Sequence, residues 1–378
     1  MLQTRIEKLR KILVEKNIDG FLVSNFYNII YLTGFKTLTA DEREAWGLVT
    51  AKSVYLFTDS RYIKDSTFAK VSVDKQNPKY IFKLITPEKG LIKHLQEIVE
   101  EEKIKRLGLE GDDLKINELE RIKKYLLNIE LVSLEKLIIK VREIKDGEEI
   151  NNLRKACQIA DQCLEETVKT IKVGTSEKEI AFRIELWLKE KGYDLSFYPI
   201  IAVNKNSAIP HYDTRNGTNE KIKKNSIILI DFGAKFKDYH SDMTRMIFVG
   251  KPTNEMTVVY QTLLNAQEKT VKQLETDNNP VSIDQFCRRL ITDSTDSTDY
   301  RLPSYPHSTG HGVGLQIHEF PKISFTSTDV LLPNQVITIE PGVYLDDKWG
   351  MRIEDTILIK KGNQIEVLTK SDKKLLIL

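Results

Sequence analysis

Ser226-Ile-Ile-Leu-Ile-Asp231 is an unbroken apolar run that ends on an acid, and three more segments repeat the pattern. Asp242 opens Asp242-Met-Thr-Arg-Met-Ile-Phe-Val249. Glu340 closes Val336-Ile-Thr-Ile-Glu340. Glu354 sits inside Met351-Arg-Ile-Glu-Asp-Thr-Ile-Leu-Ile359. All four segments read as β-strands. A carboxylate in such a setting costs several kcal/mol unless it is paired or coordinates a metal. One acid of this kind is a salt bridge. Four of them, with the histidine-rich loop His307-Ser-Thr-Gly-His311-Gly-Val-Gly-Leu-Gln-Ile-His318 between them, predict a metal site.

The donor set narrows the chemistry. Carboxylates with one imidazole suit manganese, cobalt, iron or zinc. Four acids carry −4, which two divalent ions balance and one ion does not. Two ions roughly 3.5–4 Å apart activate water while clamping a reacting carbonyl or phosphoryl oxygen. Beyond the acids the neighbourhood offers mainly histidines, which favours hydrolysis of an uncharged amide over phosphoryl transfer. Five of the six histidines (His211, His240, His307, His311 and His318) fall in the span that holds the acids. The sixth, His94, is expected to be solvated on an amphipathic helix. Gly310, Gly312 and Gly314 are expected to let backbone pass close to a bound ion or ligand.

At 378 residues the chain exceeds the size of a single core, so two domains are expected. Up to about residue 135 the pattern alternates between α and β. Helical spacing covers 6–14, 91–99 and 116–127, and strands are read at 20–23, 47–49, 54–57 and 106–109. Asp146 is placed to cap a helix over 148–171, and Ser176 with Glu179 has the spacing of a capping box. Strands dominate from about 196, with helices near 255–274 and 282–291. The polar run Thr292 to Asp299 reads as a surface loop. Lys+Arg 57 against Asp+Glu 55 leaves a net charge of +2, which argues against a nucleic-acid binder. Cys157, Cys163 and Cys287 show no Cys-x-x-Cys spacing, so neither a disulfide framework nor a thiolate zinc site is expected. The amphipathic start and the lack of any apolar run of transmembrane length give the expectation of a cytoplasmic protein with no membrane partner.

Five segments together closely resemble the proline-specific metallopeptidases of the pita-bread fold, the Xaa-Pro aminopeptidases and Xaa-Pro dipeptidases (prolidases). They are Asp231-Phe-Gly-Ala, His240-Ser-Asp242-Met-Thr-Arg, His307 to Glu319, Ile339-Glu340-Pro-Gly-Val-Tyr344 and Arg352-Ile-Glu354-Asp-Thr. Phe57-Thr-Asp-Ser-Arg-Tyr62, Arg142-Glu-Ile-Lys-Asp and Leu153-Arg-Lys-Ala156 extend the likeness over nearly the whole chain. The resemblance implies a creatinase-type α/β N-terminal domain, residues 1–135, and an α+β pita-bread catalytic domain, residues 136–378. It also implies roles. Asp231 would chelate one ion, Asp242 and Glu354 would bridge both, and His311 with Glu340 would complete the second, with manganese the expected metal. Glu340 would manage the proton of the attacking water. His211 and His318 would steady the tetrahedral intermediate. His307 would line the proline pocket, and Tyr344 and Arg352 would support the site, with Asp355 or Glu340 as the simpler ion-pair partner for Arg352. The substrates would be short proline-containing peptides and the assembly a homodimer.

The expected reaction is therefore cleavage between an N-terminal residue and proline by an Xaa-Pro aminopeptidase, with Xaa-Pro dipeptidase as the alternative. A dipeptidase must also hold a C-terminal carboxylate, for which Arg301, or Arg61 of the partner subunit, are candidates. A methionine aminopeptidase lacks the α/β domain. A creatinase, or a non-catalytic binding module of the same fold, lacks the ligands that are intact here. Val203-Asn-Lys-Asn-Ser207 and Ser294 to Tyr305 depart from the family pattern near the expected substrate pocket.

Overall fold

The computed structural model describes residues 2–62, 79–293 and 302–378, so Arg301 and much of the 294–305 run lie outside the described residues. The chain divides into two compact units, Met1–Arg142 and Glu143–Leu378.

The first unit is built on one mixed sheet. Its strands are β1 (Gly20–Val23), β2 (Ala45–Thr50), β3 (Ser53–Thr58), β4 (Lys79–Leu84), β5 (Arg106–Glu110) and β6 (Glu130–Leu134), in the order β4-β3-β2-β1-β5-β6. β1, β2 and β3 pair antiparallel in turn, and the remaining pairs are parallel. The helices are α1 (Leu2–Glu15), α2 (Phe26–Thr33), α3 (Leu91–Glu101), α4 (Ile116–Tyr125) and α5 (Leu137–Glu143). Periodicity finds α1, α3 and α4 because each buries one stripe, for example Leu95 and Ile98 of α3. It misses α2, which is buried continuously from Asn28 to Thr33 and so shows no polar face. Asn25 caps that helix with two backbone bonds. The half-buried edge strand β6 is missed for lack of an apolar run.

One reading of the first unit is overturned. His94 is buried, not solvated, with Nε2 2.9 Å from the Leu84 carbonyl and its ring against Phe57. The helical stripe that carries Leu95 and Ile98 inward carries His94 with it, and the end of β4 supplies the hydrogen-bond partner.

The second unit begins with α6 (Gly147–Val168), capped by Asp146 as its spacing predicts, and α7 (Glu177–Glu190), opened by the Ser176/Glu179 capping box. The following strands are β7 (Asp194–Leu195), β8 (Ile200–Val203), β9 (Ser226–Phe232), β10 (Ala234–Phe236), β11 (Tyr239–His240) and β12 (Met243–Val249). After α8 (Asn254–Gln273) and α9 (Pro280–Thr292) come β13 (Gly310–Gly312), β14 (Glu319–Ile323), β15 (Val336–Ile339), β16 (Gly342–Leu345), β17 (Trp349–Arg352), β18 (Asp355–Ile359), β19 (Ile365–Val367) and β20 (Leu376–Ile377). Two sheets matter most for function: β20-β12-β9-β8 and β14-β13-β15-β18-β19. The first is buried on both faces, with Ile228 and Ile230 in one cluster and Ile227 and Leu229 in another. That explains why β9 reads as a continuous apolar run.

The segment 351–359 is not one strand. It breaks at Ile353–Glu354, because β17 pairs with β16 and β18 pairs with β15 in a different sheet. Glu354 therefore sits in the joint between strands rather than on one. The glycine expectation also needs correcting. A Cβ at Gly310 would lie 1.9 Å from the Thr338 carbonyl oxygen, at Gly312 2.2 Å from that of Phe320, and at Gly314 2.4 Å from the Glu319 carboxylate. The chain's own strands and side chains take that room. Cys157, Cys163 and Cys287 are buried free thiols. Among the described residues, no helix is long and apolar enough to cross a membrane.

His94→Ala should lower stability by about 1–3 kcal/mol through the unpaired Leu84 carbonyl and the lost ring volume. A denaturant midpoint equal to that of the unsubstituted chain would contradict the burial described.

Candidate metal centre

The acids come from different sheets and meet at one place. Asp231 lies near the end of β9, and Asp242 directly precedes its antiparallel partner β12. His311 lies in β13, Glu340 follows β15, and Glu354 precedes β18. Ligand atoms of Asp242, His311 and Glu354 all fall within 4.8 Å of one another. The His311 Nε2 is 3.6 Å from Asp242 Oδ2 and 3.3 Å from Glu340 Oε1. Its Nδ1 lies 3.0 Å from the Gly312 carbonyl, which fixes the proton on Nδ1 and turns the Nε2 lone pair toward the acids.

Asp231 is tied down on one side only. Arg352 Nη2 donates to its Oδ2 at 2.5 Å, while Oδ1 is buried with no hydrogen-bond partner. Arg352 thus pairs with Asp231, not with Asp355 or Glu340. Asp355 pairs with Arg245 at 2.7 Å and Lys373 at 2.7 Å. Arg352 also donates from Nε to Thr244 Oγ1 at 3.0 Å, and Thr244 donates to Glu354 Oε2 at 2.7 Å. Tyr344 receives Arg352 Nη1 at 2.8 Å, and its hydroxyl lies 2.9 Å from His307 Nε2. Arg352 therefore links Asp231, Glu354, Tyr344 and His307 in one network.

Burial forces the electrostatics. Desolvation first, then repulsion from Glu354 and Asp231, holds the Asp242 carboxyl well above its ordinary range. Desolvation first, then Glu340 and Asp231, does the same for Glu354. Burial raises Asp231 too, against the opposing pull of Arg352. Burial lowers His311 to about 4, so its imidazole is neutral at ordinary pH, the form in which it binds a metal. The crowded acids, the partnerless Asp231 Oδ1 and the neutral imidazole aimed at them fit divalent cations.

Above this floor opens a cleft of about 330 Å³. Asp231, Asp242, His311, Glu340, Glu354 and Arg352 line it together with His211 and His318. His211 and His318 are exposed, and the His318 ring stands edge-on to His311, centroids 4.5 Å apart. Burial and then His311 lower His318 to about 4. His307 and Tyr344 join the centre through Arg352, which donates to the Tyr344 hydroxyl. His240 is buried, its Nδ1 3.2 Å from the Gly314 carbonyl, and takes no part.

Two supports escaped sequence reasoning. Glu177 is fully buried and accepts from Val203 N, Asn206 Nδ2, Tyr212 Oη and Glu220 N, all at 2.8 Å, which anchors the loop that carries His211. Lys145 and Glu319 form a buried pair at 3.1 Å beside His318. Both sit at helix or strand ends in polar surroundings, where an acid looks like an ordinary cap. Only the structure reveals their long-range partners.

Residues 151–361 match the model of metallopeptidase family M24, and residues 5–144 match the creatinase/prolidase N-terminal domain. An Xaa-Pro dipeptidase of Pyrococcus horikoshii is 33% identical over 375 residues, 98% of this chain and 99% of that one. The solved Xaa-Pro dipeptidase from Bacillus anthracis superposes with a TM-score of 0.86 at 31% identity, covering 100% of both chains. The X-Pro aminopeptidase from Thermotoga maritima gives a TM-score of 0.83 at 29% identity, covering 99% of this chain and 100% of that one.

Burial and mutual repulsion raise the Asp242 and Glu354 carboxyls, so protons and metal compete for the same oxygens, and loading with manganese should release protons, more so as the pH is lowered. Calorimetry in two buffers of different ionisation enthalpy measures the release, and a buffer-independent heat would count against the raised carboxyls.

Proposed function

The chain belongs to metallopeptidase family M24, and on that premise we propose that it hydrolyses Xaa-Pro peptide bonds as an Xaa-Pro aminopeptidase. Its catalytic unit has the pita-bread fold and its first unit the creatinase-type fold. The observation that carries the reading is the cleft whose floor joins buried acids to a neutral imidazole and whose wall presents two exposed histidines. In this reading Asp231, Asp242, His311, Glu340 and Glu354 hold two divalent cations, manganese foremost. When bound, the ions supply activation of water and polarisation of the scissile carbonyl.

The chain's own groups do the rest. Glu340 takes up the proton of the attacking water. His211 and His318 donate hydrogen bonds to the oxygen that gains charge in the transition state. Partial burial and the neighbouring His311 favour the neutral imidazole for His318. Arg352 holds Asp231 and, through Thr244, Glu354 in position. His307 and Tyr344 act through the same network at the edge of the proline pocket. Proline needs such a dedicated site because its amide has no N–H and its ring fixes φ. A homodimer in the cytoplasm, acting on short proline-containing peptides, completes the proposal.

Xaa-Pro dipeptidase is the second reading, favoured by the full-length match to the Pyrococcus horikoshii and Bacillus anthracis dipeptidases. Metal-loaded enzyme offered Xaa-Pro and Xaa-Pro-Yaa-Zaa decides between them. An aminopeptidase cleaves the tetrapeptide, a dipeptidase only the dipeptide, and cleavage of neither would overturn both readings.

The histidines should separate kinetically. His211→Ala and His318→Ala should keep both ions while kcat falls about 10²–10³-fold, as for loss of one oxyanion donor. His311→Ala should lose metal affinity, with activity partly restored by excess manganese. Elemental analysis beside the kinetics checks this, and a His318→Ala protein that loses metal while His311→Ala keeps it would reverse the assignment.

A further inference from the structure

Two arginines line the cleft, and they differ in what remains for a ligand. Arg352 is buried and its guanidinium is committed to Asp231, Thr244, Tyr344 and the Pro210 carbonyl. Arg215 is the other arginine. Its side chain is 62% exposed, and among the described residues its guanidinium reaches only Asp213, through Nε at 3.5 Å. That is a long contact for a charge-assisted bond.

The backbone beneath Arg215 is firmly placed. Thr214 is buried, and its Oγ1 accepts from Ile201 N at 2.8 Å. Ile201 follows Ile200, which lines the cleft and pairs in register with Asp231. Arg215 therefore directly follows a residue pinned to the strand next to the one that carries Asp231, and adjacent strands lie about 4.8 Å apart. The turn closes through Gly217 N to the Asp213 carbonyl at 2.7 Å. A Cβ at Gly217 would lie 2.2 Å from the Tyr212 hydroxyl, so that position tolerates no side chain. Asp213 receives Arg215 N at 3.0 Å and Asn216 Nδ2 at 2.8 Å, which orders the turn. The Tyr198 ring, also on the lining, lies 5.0 Å under the guanidinium. An arginine stacked on an aromatic face and bonded only at Nε keeps its Nη edge for bidentate recognition of a carboxylate.

We propose that Arg215 is the specificity-determining residue of the cleft that receives a substrate carboxylate. This rests on the Xaa-Pro peptidase reading and adds to it the charge of the preferred peptide. The carboxylate has two sources in such a peptide: the C-terminus of a dipeptide, or an acidic side chain on the residue before proline. Among the described residues Arg215 contacts Asp213 and Tyr198 and none of the acids of the metal centre, so its contribution is to binding and appears in KM more than in kcat.

The test compares the metal-loaded enzyme and its Arg215→Ala and Arg215→Lys variants on Ala-Pro, Ala-Pro-amide, Glu-Pro-amide and Gln-Pro-amide. Arg215→Ala should lower kcat/KM by roughly tenfold or more on the carboxylate-bearing member of one pair, the order expected for one charge-assisted bond. Its neutral partner should be unchanged, and Arg215→Lys should recover part of the loss. A loss confined to Ala-Pro assigns the C-terminal carboxylate, and one confined to Glu-Pro-amide assigns the side chain. Equal changes on all four peptides, or none, overturn the proposal while leaving the peptidase reading intact. An unsubstituted enzyme that cleaves none of the four brings down both.

Discussion

Four carboxylates are held close together in a buried setting, and Arg352 is the one guanidinium among the described residues that shares their cleft floor. Its pairing with Asp231 leaves Asp242, Glu340 and Glu354 without a cation of comparable reach. Everything nearby serves that imbalance. Thr244 and Thr338 donate to Glu354 and Glu340, His311 arrives neutral, and the backbone of both sheets is arranged to deliver acids to one point. In a low-dielectric site this excess negative charge is stable only with protons or metal ions present.

Much of this was legible in the sequence, for a physical reason. An acid at the end of an apolar strand violates the pattern around it, and violations of local pattern mark function more often than structure. Asp231, Asp242 and Glu340 were visible in that way, and His311 by its company. Helix caps at Asp146 and Ser176 were visible because capping is a local matter. The break at Glu354 was not, since it depends on which strand each half pairs with, and pairing is non-local. His94 was misread because one histidine in a polar sequence context does not reveal the carbonyl of Leu84 waiting for it.

Glu177 shows the same limit from the other side. Its place at the first turn of α7 explains it fully at the local level, as an acid favoured near a helix N-terminus. The structure adds that its two oxygens accept from four donors spread over residues 203 to 220. A residue can satisfy a local rule and still owe its place to a distant loop.

The raised carboxyls have a consequence for how the protein comes into being. A centre that stayed fully ionised would resist closure of the core until ions arrived, as in small domains that fold only around their metal. Here protons can serve as provisional occupants, because desolvation itself draws them onto Asp242 and Glu354. Protons and metal ions are thus alternative occupants of the same oxygens, and the acidity of the surroundings bears on which of them the centre holds.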